Sequence, residues 1–526
     1  MKEFQVEGNC NPLRHYMADT SKKIDTIINT LIEKDKYFTI NRARQYGKTT
    51  TLDLLYQRLK DKYLVIQISF EAEDDSFTSN YDFVLGMVRN IGRELQRAQV
   101  SQEVLDVWES PVDERFPMDD LSQKISKLCQ MNGKEVVLII DEVDRSSDNQ
   151  IFLTFLGLLR TKYIGRNAGR DVTFKSVILA GVYDIKNLKL RIRTDEEQKY
   201  NSPWNVAADF TIDMSLSLEE ITSMLKEYEK DHHTGMKIDV MSQLLLDYTS
   251  GYPYLVSRIC KLIDERLMEN DSFKHKEERW SEQGFLEAVK ILLKEKNTLF
   301  DDMIKKIADH PQLKQVIRNI LFRGTRYSYE ADNQVLHIGI MFGFLTEHDN
   351  TVGISNRIFE TKLYNYFISE DEVSSSIYEA GVMDKNQFVV DGTLQMNRVL
   401  EKFLEHFTEI YADYDDKFIE ENGRRIFLMY LKPIINGVGN YYIEAQTRNM
   451  KRTDVVVDYR GIRSVVEMKI WHGAEYNKRG EQQLDEYLDF YHLEKGYMLS
   501  FNFNKKKKPQ ICNIQLGKRM IMEVVV

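Results

Sequence analysis

Cysteine is scarce in this chain. Four occur in 526 residues, Cys10, Cys129, Cys260 and Cys512, with no C-x-x-C pair and no histidine at ligand spacing. That excludes a disulfide framework and a structural zinc site, and the thiols read as reduced, buried and inert. Proline is also scarce, at 8 residues, and glycine stands at 26, so collagen-like, low-complexity and wholly disordered readings fall away. No stretch reaches the ~18 uncharged apolar residues of a membrane helix, and Glu3 and Glu7 stand where a signal peptide keeps its apolar core. A cytoplasmic protein with no membrane partner is expected. The composition is globular, with 42% hydrophobic, 29% charged and 11% aromatic residues. The length suits about three to four domains.

The formal net charge of -10 argues against a protein that coats nucleic acid by bulk electrostatics. The average hides an asymmetry. Residues 422 to 526 hold 18 Lys and Arg against 11 Asp and Glu, leaving the acidity on the preceding 421 residues. A basic module on an acidic body is expected if only the C-terminal part meets a polyanion.

Hydrophobic patterning divides the chain. Four short apolar runs, at 37–40, 63–70, 135–140 and 176–182, alternate with helical segments such as 80–98, 119–130 and 150–163. Strands apolar on both faces and separated by helices predict a parallel sheet covered on both sides, an α/β domain over 1–215. Residues 216–370 read as mostly helical, opening with a capping box from Ser217 to Glu220 and ending in a hairpin and helix, a helical lid with a winged-helix-like unit. A polar, aperiodic linker is expected over 371–390, followed by a last α/β domain over 391–526.

The first candidate site follows the first apolar run, in NRARQYGKTTT. Gly47, Lys48 and Thr49 head a helix, where backbone N–H groups point at phosphate, Lys48 reaches the β/γ oxygens and the Thr49 hydroxyl binds Mg²⁺. Arg44, Gln45, Tyr46 and Thr50 complete the candidate ATP cradle. The full pattern has a glycine where Arg42 stands. The third run, KEVVLIIDEVDR, delivers Asp141 and Glu142 to a strand C-terminus, the edge where ligands of open α/β sheets collect. Asp141 is expected to hold Mg²⁺ through water, and Glu142 to polarise the water attacking the γ-phosphate.

The segments HYMAD (15–19), YFTINRARQYGKTTTL, LIIDEVD, AGVYD (180–184), SPWNVAADF (202–210) and SGYPYLVSRIC (250–260) resemble the bacterial AAA-ATPase-like proteins related to the STAND and archaeal ATPase groups. The resemblance implies a P-loop NTPase core and a C-terminal PD-(D/E)xK nuclease-like domain. It also implies a sensor position near Tyr183 or Asp184 and a lid helix starting at Gly251 and Pro253. A γ-phosphate arginine is implied as well, with Arg160, Arg191 and Arg193 as unranked candidates.

The second candidate site is RTDVVVDYRGIRSVVEMKIW, read as two strands joined by a two-residue turn at Arg460 and Gly461. That register sets Asp454 opposite Glu467, with Cβ atoms roughly 4.5–5.5 Å apart, so that both carboxylates can grip one Mg²⁺ or Mn²⁺. Lys469 shares the face of Glu467. Asp454, Glu467 and Lys469 match the PD-(D/E)xK pattern, with Thr453 in place of its proline. Gln483 and Tyr487 look like the Q-x-x-x-Y motif of the RecB-like branch, and Glu421, with Glu420 close behind, is the candidate for a further metal-binding acid from an upstream helix.

His232 and His233 lack acidic partners at ligand spacing and read as a polar loop. Lys505 to Lys508 and His472 are weaker candidates for phosphate contact. The reading is a P-loop ATPase joined to a Mg²⁺-dependent nuclease acting on nucleic acid, DNA before RNA, with defence against foreign DNA as context and a homo-oligomer or protein partner allowed. The rival is an ATP-dependent binding or signalling switch whose nuclease-like domain does not cleave.

Overall fold

The computed structural model describes residues 2–71, 74–146, 150–182, 204–323, 325–330, 332–371, 375–411, 416–436, 439–443, 454–471, 481, 484–485, 488–489, 493–502 and 509–526. Two compact units emerge, one of Met1–Leu246 with Gly251–Lys261 and Met341–Gly343, the other of Asp247–Ser250, Leu262–Ile340 and Phe344–Val526.

The first unit is built on a parallel sheet of β1 (Phe38–Asn41), β2 (Leu64–Ser69), β3 (Val136–Asp141) and β4 (Ser176–Gly181), in the order β1-β4-β3-β2. β3 and β4 are buried at every position. The reason is that each face has its own core. Val136, Leu138 and Ile140 pack with Met87 of α3 (Asn80–Arg97), Ile125 of α5 (Pro117–Met131) and Phe155 of α6 (Gln150–Asn167), while α4 (Gln102–Trp108) adds Val104 and Trp108. Val137 and Ile139 face the other way, onto Ile24 and Ile27 of α1 (Ser21–Ile27) and Leu52 and Leu55 of α2 (Lys48–Leu59). Each such side chain contributes about 1.5–3 kcal/mol by leaving water, so the all-apolar runs cannot tolerate alternation.

Beyond the sheet, α7 (Leu218–His232) opens with the expected capping box, in which the Ser217 hydroxyl accepts from the Glu220 N–H and the Glu220 carboxylate accepts from the Ser217 N–H. α8 (Ile238–Thr249) and α9 (Pro253–Lys261) follow. The expected polar loop at His232 is instead the last turn of α7, where the imidazole stacks on Tyr228 at 4.2 Å and meets the Tyr16 hydroxyl at 3.0 Å.

In the second unit, helices Thr298–Asp309, Pro311–Arg323 and all but the last residue of Gln334–Met341 precede the hairpin of β6 (Leu345–His348) and β7 (Thr351–Ile354), to which β5 (Tyr327–Ser328) adds a third strand. The expected linker at 371–390 contains the helix Ser376–Asp384, whose Ile377 and Gly381 are buried. Asp384 explains its docking. It accepts from the Tyr430 hydroxyl at 2.8 Å and the Gln387 amide at 2.7 Å, and lies 2.7 Å from His406 Nε2. A short ladder of β8 (Val389–Val390) and β9 (Thr393–Leu394) leads to helices Met396–Tyr411 and Asp416–Ile435.

The C-terminal part is a mixed sheet of β10 (Gly439–Ile443), β11 (Asp454–Tyr459), β12 (Ile462–Trp471), β13 (Lys495–Asn502), β14 (Gln510–Leu516) and β15 (Arg519–Val525), ordered β10-β11-β12-β13-β15-β14. β12 runs parallel to β13 and β13 to β15; the remaining pairs are antiparallel. The four cysteines stand outside disulfides, with Cys260 buried and Cys10, Cys129 and Cys512 half-buried, a correction to the expectation that all are buried. No described helix is long and apolar enough to cross a membrane.

Candidate functional site

β1 delivers the chain into the loop 42–47, and α2 begins at Lys48. Gly47 is the N-cap, at a φ of 76° in the left-handed region. A side chain there is strained by its own Cβ, which is why glycine occupies this position. Lys48 is 8% exposed, and its ammonium donates to the carbonyls of Arg42 and Ala43, each at 3.0 Å. Burial pushes the Lys48 ammonium below its usual range, against the pull of the Asp144, Glu142 and Asp141 carboxylates. A buried lysine ringed by acids and resting on loop carbonyls is a cation held ready for an anion.

The Thr49 hydroxyl donates to Asp141 Oδ2 at 2.9 Å, and the Glu142 N–H donates to Asp141 Oδ1 at 2.8 Å. Helix head and strand end, 92 residues apart in sequence, thus meet at the carboxyl edge of the sheet. Burial raises the Asp141 carboxyl above its ordinary range, opposed by the Thr49 hydrogen bond, and raises that of Glu142 with help from the charge of Asp141. Glu142 has a φ of 55°, an uncommon conformation for a residue with a side chain. The Thr50 hydroxyl accepts from the Cys10 N–H at 3.2 Å, so the segment around Cys10 borders the first turn of α2.

Two residues of this site were not among the sequence candidates for a role. Arg42 donates to the carbonyls of Asn41 at 2.9 Å and Ile212 at 2.8 Å, and its guanidinium lies 5.2 Å from the Phe210 ring centre. It anchors the loop base through its side chain. Asp144 accepts from the Val182 N–H at 2.6 Å and straps the end of β3 to the end of β4; a Cβ on Gly181 would meet its Oδ1 at 2.6 Å. The only signal for Asp144 was its place in the run DEVD. Pro253 opens α9 and its ring lies 3.9 Å from where a Cβ on Gly47 would stand. Tyr183, Asp184, Arg191 and Arg193 lie outside the described residues, and Arg160 is a half-buried residue of α6.

The second site lies in the mixed sheet. β11 pairs with β12 so that Asp454 stands opposite Glu467, through a turn in which Arg460 and Gly461 have φ of 55° and 81°. Two left-handed residues suit a tight hairpin. Asp458 stabilises the turn by accepting from the Gly461 N–H at 3.0 Å. Glu467 is 2% exposed. Register places Met498 beside it and Glu523 beyond, and Lys469 beside Ser500. The buried Glu523 accepts from the Ser500 hydroxyl at 2.7 Å and from the Cys512 thiol at 3.5 Å. Leu484 and Leu488 pack with Val456, Val465 and Met498, on the face that Glu467 shares.

Asp454, Lys469 and Glu421 are placed by their backbones, in β11, in β12 and in the helix Asp416–Ile435; their side chains, like Gln483, Tyr487, His472 and Lys505 to Lys508, lie outside the described residues. Among the described residues, no group of three His, Cys, Asp or Glu converges on a metal position. Two carboxylate-bearing positions opposite each other on neighbouring strands are a hard oxygen donor set, suited to Mg²⁺ or Mn²⁺ and not to a soft metal.

No family model and no curated protein matches the chain. Among solved structures, it is similar to the Walker-type ATPase of Pyrococcus abyssi, at 13% identity and a TM-score of 0.45, over 68% of this chain and 99% of that one. It is also similar to the ORC2 protein of Aeropyrum pernix, at 13% identity and a TM-score of 0.36, over 70% and 97%. The RuvB Holliday junction branch migration motor of Thermotoga maritima aligns at 15% identity and a TM-score of 0.26, over 61% and 93%.

Proposed function

We propose that the chain binds and hydrolyses ATP at the cradle around Lys48, and that this reaction is coupled to a metal-dependent nuclease at the Asp454–Glu467 hairpin. The observation that carries the first half is the Thr49–Asp141 hydrogen bond of 2.9 Å beside the buried Lys48. A hydroxyl, a carboxylate and a lysine converging at a helix head answer the needs of a nucleoside triphosphate with its Mg²⁺. Thr49 and Asp141 are the residues that would hold the ion, which would supply charge withdrawal from the phosphate oxygens.

The remaining work falls to the protein. Loop amides and the Lys48 ammonium bind the phosphate oxygens, and Lys48 exchanges the carbonyls of Arg42 and Ala43 for them. Glu142 orients a water and accepts its proton as the water oxygen bonds to the γ-phosphorus and the bond to the leaving ADP oxygen breaks. At the hairpin, Asp454 and Glu467 are the residues to hold Mg²⁺ or Mn²⁺, with Glu421 as a further acid. Lys469 orients the attacking water or neutralises the phosphate charge that develops, with Gln483 and Tyr487 as further residues of the same site. The basic balance of residues 422–526 supports a polyanionic substrate, and DNA is proposed before RNA.

The test incubates the full chain with plasmid, single-stranded DNA and RNA, with Mg²⁺ or Mn²⁺, with and without ATP, beside Glu467→Ala. Phosphate release from ATP and metal-dependent cleavage lost in Glu467→Ala support the reading. ATP hydrolysis without cleavage of any substrate leaves a nucleotide-driven binding switch in its place.

A further inference from the structure

We propose that Tyr252 is a positioning residue for the phosphate cradle, and that with Tyr46 and Ser215 it forms a latch that sets nucleotide affinity. The proposal rests on the ATP reading above. The loop 42–47 contains a single glycine, at its last position, so the direction of its other amides has to be imposed by what its side chains and carbonyls touch. Arg42 anchors the start of the loop; the latch anchors its far end.

Tyr252 is 2% exposed and its hydroxyl donates to the Arg44 carbonyl. Its ring meets that of Tyr46 edge-on, with centres 4.6 Å apart and planes at 72°. The Tyr46 hydroxyl in turn lies 2.6 Å from Ser215 Oγ. Burial raises the Tyr46 phenol above its usual range, so it stays a neutral O–H group. Tyr252 is itself held. Gly251 before it has a φ of 72°, and its carbonyl accepts from the Leu216 N–H at 2.7 Å. A Cβ on Gly251 would overlap the Leu216 backbone, which forces glycine here for two reasons at once. Gly343 borders the ring: a Cβ there would crowd Ala43 Cβ at 2.8 Å and reach ordinary contact with Tyr252 Cε2 at 3.8 Å.

The consequence concerns the exchange made by Lys48. When its ammonium leaves the carbonyls of Arg42 and Ala43 for a phosphate, the loop loses two of the hydrogen bonds that shape it. The carbonyl of Arg44, next along, keeps its direction because Tyr252 holds it, and the Gln45 N–H of the same planar peptide unit keeps its direction with it. Tyr252 touches neither the nucleotide nor the reacting atoms; it acts through Arg44 and Tyr46. It should therefore govern binding and leave the chemical step alone.

Titration of the full chain with ADP and with a non-hydrolysable ATP analogue, in Mg²⁺, tests this alongside steady-state ATP hydrolysis. Tyr252→Phe keeps the ring and removes one hydrogen bond to a loop carbonyl, and is expected to raise Kd and KM about tenfold. Its kcat should stay within about twofold of wild type, and the melting midpoint without nucleotide should stay within a few degrees. Ser215→Ala should raise Kd by a smaller factor, through Tyr46. Wild-type Kd in Tyr252→Phe, in a wild-type chain that binds, overturns the latch, as does a loss confined to kcat. A wild-type chain that binds neither nucleotide removes the ATP reading, and the latch with it.

Discussion

The phosphate cradle and the carboxylate hairpin both set acids on β-strands, yet they are assembled in opposite ways. The cradle gathers segments far apart in the chain, around residues 10, 48, 141, 182, 212 and 252, and each is held by a hydrogen bond to another. The hairpin needs 14 consecutive residues, and its register alone sets Asp454 opposite Glu467. A site built from distant segments can respond to what binds it, because moving one anchor moves several elements. The opposed pair on the hairpin is set by local strand pairing alone. That contrast accords with the proposed division of labour, a nucleotide switch at the first and metal-dependent cleavage at the second.

Paired substitutions break the comparison most sharply. Lys48→Ala is expected to weaken ATP binding by about 100-fold or more, through loss of charge-assisted contacts, as measured by calorimetry. Glu467→Ala should leave that binding intact and lower DNA cleavage about a thousandfold, since a metal contributes several kcal/mol to such a step. Loss of ATP binding in Glu467→Ala would show that the two sites are not separable. Glu142→Gln sharpens the contrast within the cradle. Binding should persist while phosphate release falls by about 10²–10⁴, and retention of full turnover would remove Glu142 as the base.

Smaller effects report on the scaffolds. Leu138→Ala opens a cavity between β3 and the helices α3, α5 and α6, and should cost about 2–5 kcal/mol in denaturant unfolding of the first unit. Asp458→Ala removes the acceptor for the Gly461 N–H at the hairpin turn, an expected cost of about 1 kcal/mol that Asp458→Asn largely restores. Ser217→Ala removes the α7 cap and should cost about 1 kcal/mol, a shift of a few degrees in Tm.

Much of this was legible in residue order because the physics is local. The four apolar runs had to be strands covered on both faces, and Ser217 and Glu220 had to cap a helix. The register of Asp454 and Glu467 followed from a two-residue turn at Arg460 and Gly461 alone. Other features were hidden because they depend on partners remote in sequence. The absent glycine at Arg42 made sense only once Asn41, Ile212 and Phe210 were seen to receive its guanidinium. Tyr252 and Asp144 carry no periodic signal, since each acts on a backbone group of another segment. The stretch 371–390 looked aperiodic because its helix is short and is docked by a buried polar residue, Asp384, in addition to an apolar stripe.

Cleavage of plasmid DNA by the purified full chain in Mg²⁺ and ATP, compared among wild type, Lys48→Ala and Glu467→Ala, is the decisive measurement of nucleotide-governed cutting at the hairpin. The expected result is nicking by wild type, an altered rate in Lys48→Ala and a rate about a thousandfold lower in Glu467→Ala; equal cleavage by all three would contradict it.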